Sequence, residues 1–224
     1  MVNGQRSKMR LSEGRAELVR AMPSVSILGE ANGQCSMVNG QRSMVNGQWS
    51  TVNGQRSTVN VQSTMRIRVG YGYDVHRLVA DRECWIGGVN IPHDKGLLGH
   101  SDADVLIHAI CDALLGAANM RDIGFHFPDN DPEFHNIDSK VLLKKTVELI
   151  ATKGYSIGNI DATVCAERPK LKPYIPTMQE VLAGVMGIDT EDISIKATTE
   201  ERLGFTGREE GISASAVVLI IRPF

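Results

Sequence analysis

The chain has 224 residues, of which 42% are apolar and 22% are charged, with a formal net charge of −2. This apolar content is sufficient for a folded core and argues against a chain that is disordered throughout. Neither an apolar run of about 18 residues nor a basic stripe occurs, so the sequence predicts no membrane span and no nucleic-acid partner.

The cysteines and histidines indicate where chemistry is to be sought. The four cysteines are widely spaced and form no C-x-x-C pair. This spacing favours free thiols in a reducing compartment over a disulfide framework or a Cys-rich zinc site. All six histidines lie beyond residue 64, so the chemistry is expected in the later part of the chain.

A seven-residue repeat dominates the first 64 residues: MVNGQRS stands at 1–7 and 37–43, with variants at 30–36 and 44–63. The apolar positions of each unit are adjacent, which opposes a coiled coil, and the recurrent Asn-Gly pair opposes a helix. We predict that 1–64 is a disordered, low-complexity leader ahead of a catalytic domain at 65–224. A basic, Ser-containing transit peptide and translated upstream DNA are the alternatives.

From Arg66 onward the sequence alternates between strand and helix signals. RIRVGYGYDVH predicts a strand, and CWIGGVNI predicts a second strand with a Gly-Gly bend. Residues 101–118 predict a helix opened by Ser and Asp. A loop rich in Asp, Pro and Phe follows this helix.

The remaining signals complete one domain. A second helix, capped by Asp138 or Ser139, runs to Lys153 and stops at Gly154. IDATVCAE predicts a strand, Ile175–Met186 a third helix, and ISIKATT and ISASAVVLIIR the closing strands. These elements predict a single α/β domain, an α+β sandwich whose mostly parallel or mixed sheet carries helices on one face.

One group of polar residues indicates a metal site. Asp74 and His76 stand two apart on a predicted strand, so their side chains share a face. His108 lies in the middle of a predicted helix, with Asp104 and Asp112 one turn before and after it. Two histidines and a carboxylate are typical ligands of an open zinc site. The alternative is that each histidine only forms hydrogen bonds within the core.

Three further segments carry polar residues. KATT at 196–199, Glu201 and GFTGR at 204–208 combine hydroxyls, glycines and an arginine; they suit phosphate binding or form a Gly-rich turn with solvated charges. ERPK at 167–170 predicts only a turn. FPDND at 127–131 suits polyol hydroxyls or forms an acidic surface turn.

A resemblance to a known family rests on five segments taken together: DVH, GLLGHSDADVLIHAICDALLGAA, DIGFHFPDND, ERPKLKPYIP and IKATTEERLGFTGREEGI. In order and spacing they resemble the 2-C-methyl-D-erythritol 2,4-cyclodiphosphate synthases of the non-mevalonate isoprenoid pathway. The resemblance covers Met65 to the C-terminus. It implies a phosphorus–oxygen lyase that converts 4-diphosphocytidyl-2-C-methyl-D-erythritol 2-phosphate to the 2,4-cyclodiphosphate and releases CMP.

The resemblance also implies an assembly and cofactors. The family forms a homotrimer with each active site between two subunits, and the expected location is the cytoplasm, or a plastid if the leader is a transit peptide. One Zn²⁺ per subunit is expected on Asp74, His76 and His108. Glu201 is expected to help hold a second divalent cation, Mg²⁺ or Mn²⁺.

Individual roles follow from the same match. Catalysis is assigned to His100, Asp74 and Thr199. Substrate binding is assigned first to the residues that match the family's methylerythritol phosphate pocket: His100, Ser101, Asp112, Asp122, Gly124, Phe127 and Asp129. The residues that match its cytidine diphosphate pocket are Ala166, Pro169, Lys170, Leu171, Ala197, Thr198 and Thr199. Phe205 is also assigned to substrate binding, as is Arg208, which matches a residue that faces the central cavity.

Two positions depart from the family pattern. Glu200 stands where a third Thr is common, and Ser215 replaces an acidic residue near the cavity that holds an isoprenoid diphosphate in some members. Two rival functions remain open at this point. One is a metal-dependent phosphohydrolase that uses zinc to activate water, and the other is a protein whose repeats are functional while the domain is a scaffold.

Overall fold

A computed structural model describes residues 65–128, 130–134 and 136–223. The predicted leader, Asp129 and His135 lie outside this part of the chain. The strands within it are β1 Met65–Ala80, β2 Cys84–Ile86, β3 Val89–Ile91, β4 Lys95–Leu98, β5 Ser156–Cys165, β6 Ile193–Thr198 and β7 Gly211–Pro223. The α-helices are α1 Val105–Ala117, α2 Ile123–His126, α3 Ser139–Thr152, α4 Ile175–Met186 and α5 Gly204–Gly207.

Five of these strands form one mixed sheet in the order β4-β1-β7-β5-β6. Three pairings are antiparallel, and only β5 with β6 is parallel among the described strands. The predicted mixed sheet is therefore confirmed, while a mostly parallel sheet is wrong. The reason is connectivity: β5 and β6 are joined by a helical crossover, which gives parallel strands, whereas β1 pairs with strands that run back against it.

Helix α1 lies directly on β1 at two glycines. A Cβ atom at Gly72 would lie 2.0 Å from the carbonyl oxygen of Ala109, and one at Gly70 would lie 1.9 Å from that of Ala113. Only glycine permits so close an approach of helix and strand backbones. Ten of the helix's residues are buried, because the sheet covers one side of α1 and α3 packs on another.

The predicted helix boundaries are confirmed in part. Helix α4 spans Ile175–Met186 as predicted and ends at the left-handed Gly187. Helix α3 is capped by the Asp138 carboxylate, which accepts from the Lys140 N–H. The predicted start of α1 at residue 101 is wrong. Asp104 is the N-cap, and Ala103 before it has a left-handed φ of 57°, so the helix begins at Val105.

The segment predicted as a bent strand at 84–91 is a hairpin. Gly87 and Gly88 both have positive φ angles and form the turn between β2 and β3. Strand β4 and helix α2 were not predicted, because each has only four residues and so carries no periodic pattern.

The two faces of the sheet differ. The even-numbered residues of β1 from Gly70 face α1, so the predicted arrangement with helices on one face is confirmed. The odd-numbered residues form an exposed apolar face: Ile67, Val69 and Tyr71 are 62%, 65% and 64% exposed, and Val217 on the adjacent β7 is 45% exposed. None of the described helices is long and apolar enough to cross a membrane.

Candidate metal centre and active site

Three ligand atoms converge between β1 and α1. Asp74 Oδ2 lies 2.9 Å from His76 Nε2 and 3.0 Å from His108 Nδ1, and the two ring nitrogens are 3.1 Å apart. Strand alternation places Asp74 and His76 on the face that meets α1. The contact of Gly72 with the Ala109 backbone then brings His108 within reach.

A hydrogen bond on the side away from the cluster orients the ring of His76. Its Nδ1 lies 2.9 Å from the carbonyl oxygen of Leu98 on β4. Because a carbonyl only accepts hydrogen bonds, Nδ1 carries a proton. The Nε2 atom therefore directs a lone pair at the cluster when the ring is neutral and donates to Asp74 when the ring is protonated. On the other ring, His108 Nε2 lies 3.0 Å from Ser139 Oγ and 3.2 Å from Ser101 Oγ.

The electrostatics favour positive charge at this point. Burial alone would raise the pKa of the Asp74 carboxyl, but hydrogen bonds from His108 and His76 outweigh it and hold that pKa far below its ordinary value. Burial alone would lower the pKa of His76, yet the hydrogen bond and charge of Asp74 raise it. The carboxylate of Asp74 therefore favours positive charge on its two imidazole neighbours, whether this comes from a proton or from a bound cation.

The donor set fits a zinc ion. The ligand atoms around a tetrahedral zinc ion lie about 3.4 Å apart, close to the 2.9–3.1 Å observed here. Among the described residues, these three form the group that could hold a metal ion. Two imidazoles and one carboxylate leave a fourth position for a ligand from outside the chain.

Several residues matched to the methylerythritol phosphate pocket lie near this cluster. Ser101 is buried beside His108. Asp112 follows His108 by one turn and accepts from the Ile123 N–H at 2.7 Å; burial raises the pKa of its carboxyl. Asp122 caps α2 by accepting from the Phe125 N–H at 3.0 Å.

The remaining residues matched to this pocket differ in exposure and contacts. His100 and Gly124 are exposed. The ring of Phe127 meets that of Phe134 edge-on with centroids 5.5 Å apart. Asp129 lies outside the described residues.

Asp104 and Asp112, one turn before and after His108, have different surroundings. Asp104 is fully buried and faces away from the cluster, accepting from the N–H groups of Gly87, Gly88, Leu106 and Ile107. Its carboxylate thus ties the β2–β3 turn to the start of α1. It serves the fold rather than the metal.

The residues matched to the cytidine pocket form a second group at the ends of β5 and β6. The Ala166 N–H donates to the Thr198 carbonyl at 3.0 Å, which joins the two segments. Thr199 Oγ1 donates to Glu201 Oε1 at 2.7 Å. The other members differ in exposure, with Pro169 and Leu171 buried and Lys170, Ala197 and Thr198 exposed.

The last two matched residues lie on or after α5. Phe205 is 36% exposed, and the Arg208 guanidinium makes two hydrogen bonds to Glu210 at 2.8 and 3.1 Å. That pairing lowers the pKa of the Glu210 carboxyl. Glu200, which departs from the family pattern, accepts a hydrogen bond from the buried Thr206.

Both groups lie at the same end of the sheet but on different strands. His76 on β1 pairs with Ile212 of β7. The residue after Ile212, Ser213, pairs with Cys165 of β5, which in turn pairs with Thr198 of β6. Strands β7 and β5 therefore separate the metal strand β1 from β6. Three strand spacings amount to about 14 Å.

Sequence reasoning missed the residues that support His108. The sequence pattern indicates Ser139 only as a possible helix cap and Asp102 only as part of a helix start. The available signal was the Asp138-Ser139 pair, since only one of two adjacent polar residues is needed to cap a helix.

Comparison with known proteins identifies the family. Residues 67–221 match the model of the YgbB family. The chain belongs to the YgbB family. A relative from Bacteroides fragilis, named 2-C-methyl-D-erythritol 2,4-cyclodiphosphate synthase, is 78% identical over 158 residues; the match covers 70% of this chain and 99% of the relative. A relative of the same name from Porphyromonas gingivalis is 64% identical over 154 residues; that match covers 69% of this chain and 95% of the relative.

Solved structures agree with the YgbB assignment. The bifunctional IspDF of Campylobacter jejuni has a TM-score of 0.69 at 35% identity, covering 75% of this chain and 51% of its own. The IspF–CDP complex of Plasmodium falciparum has a TM-score of 0.62 at 36% identity, covering 70% and 96%. The resemblance drawn from the sequence motifs is thereby confirmed.

Proposed function

We propose that the chain is a 2-C-methyl-D-erythritol 2,4-cyclodiphosphate synthase of isoprenoid biosynthesis. It converts 4-diphosphocytidyl-2-C-methyl-D-erythritol 2-phosphate to the 2,4-cyclodiphosphate and CMP, as a phosphorus–oxygen lyase. The observation that carries the proposal is the convergence of Asp74, His76 and His108 in a YgbB chain whose relatives bear this name.

The reaction is an internal phosphoryl transfer. An oxygen of the substrate's 2-phosphate forms a bond to the phosphorus that links the sugar alcohol to the nucleotide. The bond from that phosphorus to the bridging oxygen breaks, and CMP leaves with this oxygen. Because the nucleophile belongs to the substrate, the chain needs to hold both ends together, which supplies about 7–11 kcal/mol in favourable cases.

The chain's residues have separate tasks in this proposal. A bound Zn²⁺ would supply Lewis acidity and neutralise phosphate charge. Asp74, His76 and His108 would hold it, while His100 and Ser101 would bind the attacking phosphate. The loop that includes Asp122 would grip the diol and exclude water.

The cytidine end is assigned to the second group. Relatives crystallised with CDP support a cytidine nucleotide as the ligand of the segments around Ala166 and Thr198. A second cation, Mg²⁺ or Mn²⁺, is proposed beside Glu201, with Thr199 acting on the diphosphate. The hydrogen bond between Thr199 and Glu201 supports a shared role for the two side chains.

We also propose a homotrimer with shared active sites. The apolar face formed by Ile67, Val69, Tyr71 and Val217 is exposed in a single chain, and burying it against further copies is favourable. The separation of about 14 Å between the metal and cytidine strands supports a site completed by a second copy.

Labelling with oxygen-18 water tests the function. Cyclisation introduces no solvent oxygen into either product, whereas the rival phosphohydrolase introduces one. We expect unlabelled CMP by mass spectrometry and a cyclic diphosphate by phosphorus NMR. Labelled CMP or an open-chain product would reject the synthase.

A further inference from the structure

His108 is supported on the side opposite the metal cluster. Its Nδ1 faces Asp74 and His76, while its Nε2 lies 3.0 Å from Ser139 Oγ. Ser139 is fully buried. Its hydroxyl is free for this contact because Asp138, not Ser139, caps α3.

The direction of the Ser139 hydroxyl is fixed by Asp102. The Ser139 hydroxyl donates to one oxygen of the Asp102 carboxylate, and the Ser139 N–H donates to the other at 3.0 Å. The Asp104 N–H also donates to Asp102, at 3.2 Å. A carboxylate only accepts hydrogen bonds, so the hydroxyl proton of Ser139 points at Asp102 and its lone pairs point at His108.

This direction determines the tautomer of His108. A serine lone pair facing Nε2 requires a proton on Nε2, which leaves Nδ1 with its lone pair toward Asp74 and His76. Ser101 adds to this arrangement at 3.2 Å, although its hydroxyl also accepts from the Ala103 N–H. The opposite tautomer would place a proton where the metal ligand atom must be.

We propose that Ser139 and Asp102 are a positioning pair that holds His108 with Nε2 protonated and Nδ1 free to bind a metal ion. The inference rests on the zinc site of the proposed function and extends it to residues that touch neither metal nor substrate. Partners of this kind orient metal-binding histidines, and their loss costs about 10- to 100-fold in metal affinity.

The test uses the full chain with three variants. Ser139→Ala removes the hydroxyl. Asp102→Asn supplies an amide that can donate to Ser139 and so release the hydroxyl proton toward His108. Thr146→Val is the matched control, because Thr146 is equally buried on the same face of α3 two turns later and makes no hydrogen bond to His108.

Two readouts are needed. Chelator competition gives zinc affinity, and we expect Ser139→Ala to bind zinc about 10- to 100-fold more weakly, Asp102→Asn to weaken it in the same direction, and Thr146→Val to match wild type. Nitrogen-15 NMR of the metal-free wild type at about pH 9, where imidazoles are neutral, should show His108 with its proton on Nε2.

The possible outcomes distinguish failure of the positioning pair from failure of the zinc site on which it rests. A wild-type His108 protonated on Nδ1 would overturn the positioning pair without any variant having to fold. Equal zinc affinities for Ser139→Ala and Thr146→Val would also overturn it. A wild type that binds no zinc but carries the Nε2 proton would contradict the zinc site and still support the pair.

Discussion

The Nε2 atom of His76 and the Nδ1 atom of His108 lie 3.1 Å apart, although the two residues are 32 positions apart in the chain. When both rings are neutral, the hydrogen bonds on their far sides direct both lone pairs toward the same point. The lone pairs repel each other there unless a proton or a metal ion lies between them, so the cluster favours binding of a cation.

We therefore predict one zinc ion per chain. His108→Ala should lower zinc affinity by more than about 100-fold. Loss of a residue that only supports a ligand costs about 10- to 100-fold, and His108 is proposed to bind the ion itself. His93→Ala is the control, since His93 pairs with Asp94 away from the cluster. Metal content and chelator competition measure both; a His108→Ala chain that kept a full equivalent would show that the site is misassigned.

The raised pKa of His76 predicts opposite pH trends with and without metal. In the metal-free chain, stability from this shift is fully present below about pH 6.5 and is lost as pH rises through the higher folded value. Zinc requires the neutral ring, so its stabilising effect should grow over the same range. Melting temperatures measured with zinc and with chelator should diverge as pH rises, and parallel curves would contradict the prediction.

The exposed apolar face predicts how assembly can be disrupted. Val217→Lys should convert the proposed trimer to monomers, because it places a charge where chains are expected to pack. Val141→Lys is the matched control, since Val141 on α3 is 42% exposed against 45% for Val217. Light scattering gives the mass. We expect the monomer to retain zinc and lose turnover; a trimeric Val217→Lys chain would exclude this face as the interface.

Two glycines predict contrasting stability effects. Gly72→Ala forces a methyl group into the Ala109 carbonyl and should cost about 3 kcal/mol or more in the free energy of unfolding. Gly116→Ala places its methyl group in open space within α1 and should stabilise the chain by up to about 1 kcal/mol. Chemical denaturation measures both changes. Similar effects would mean that β1 and α1 do not touch at Gly72.

The repeat leader is proposed to be dispensable. The family match begins at residue 67, and the relative from B. fragilis is matched over 99% of its own length by 70% of this chain. A chain that begins at Met65 should keep its melting temperature and its turnover. A large loss of either would show that residues 1–64 contribute to the domain.

The cytoplasmic location stays a prediction.

The sequence predicted what depends on regular periodicity. Asp74 and His76 were paired because strand side chains alternate, and helix α4 was placed correctly because Gly187 provides a clear stop. What it did not predict depends on three-dimensional contacts. Asp104 and His108 are one helical turn apart, which predicts that they share a face. The Asp104 carboxylate instead accepts hydrogen bonds from four backbone N–H groups. Two of these belong to Gly87 and Gly88, and no local sequence pattern reveals that this turn contacts Asp104.

The glycine contact between β1 and α1 has a consequence for evolvability. The spacing between the strand that carries Asp74 and the helix that carries His108 is set by backbone meeting backbone, not by the size of intervening side chains. Core residues elsewhere on α1 can therefore change volume without altering the distance between the ligands. Libraries that randomise the core while keeping Gly70 and Gly72 should yield many chains that differ widely in stability yet bind metal alike.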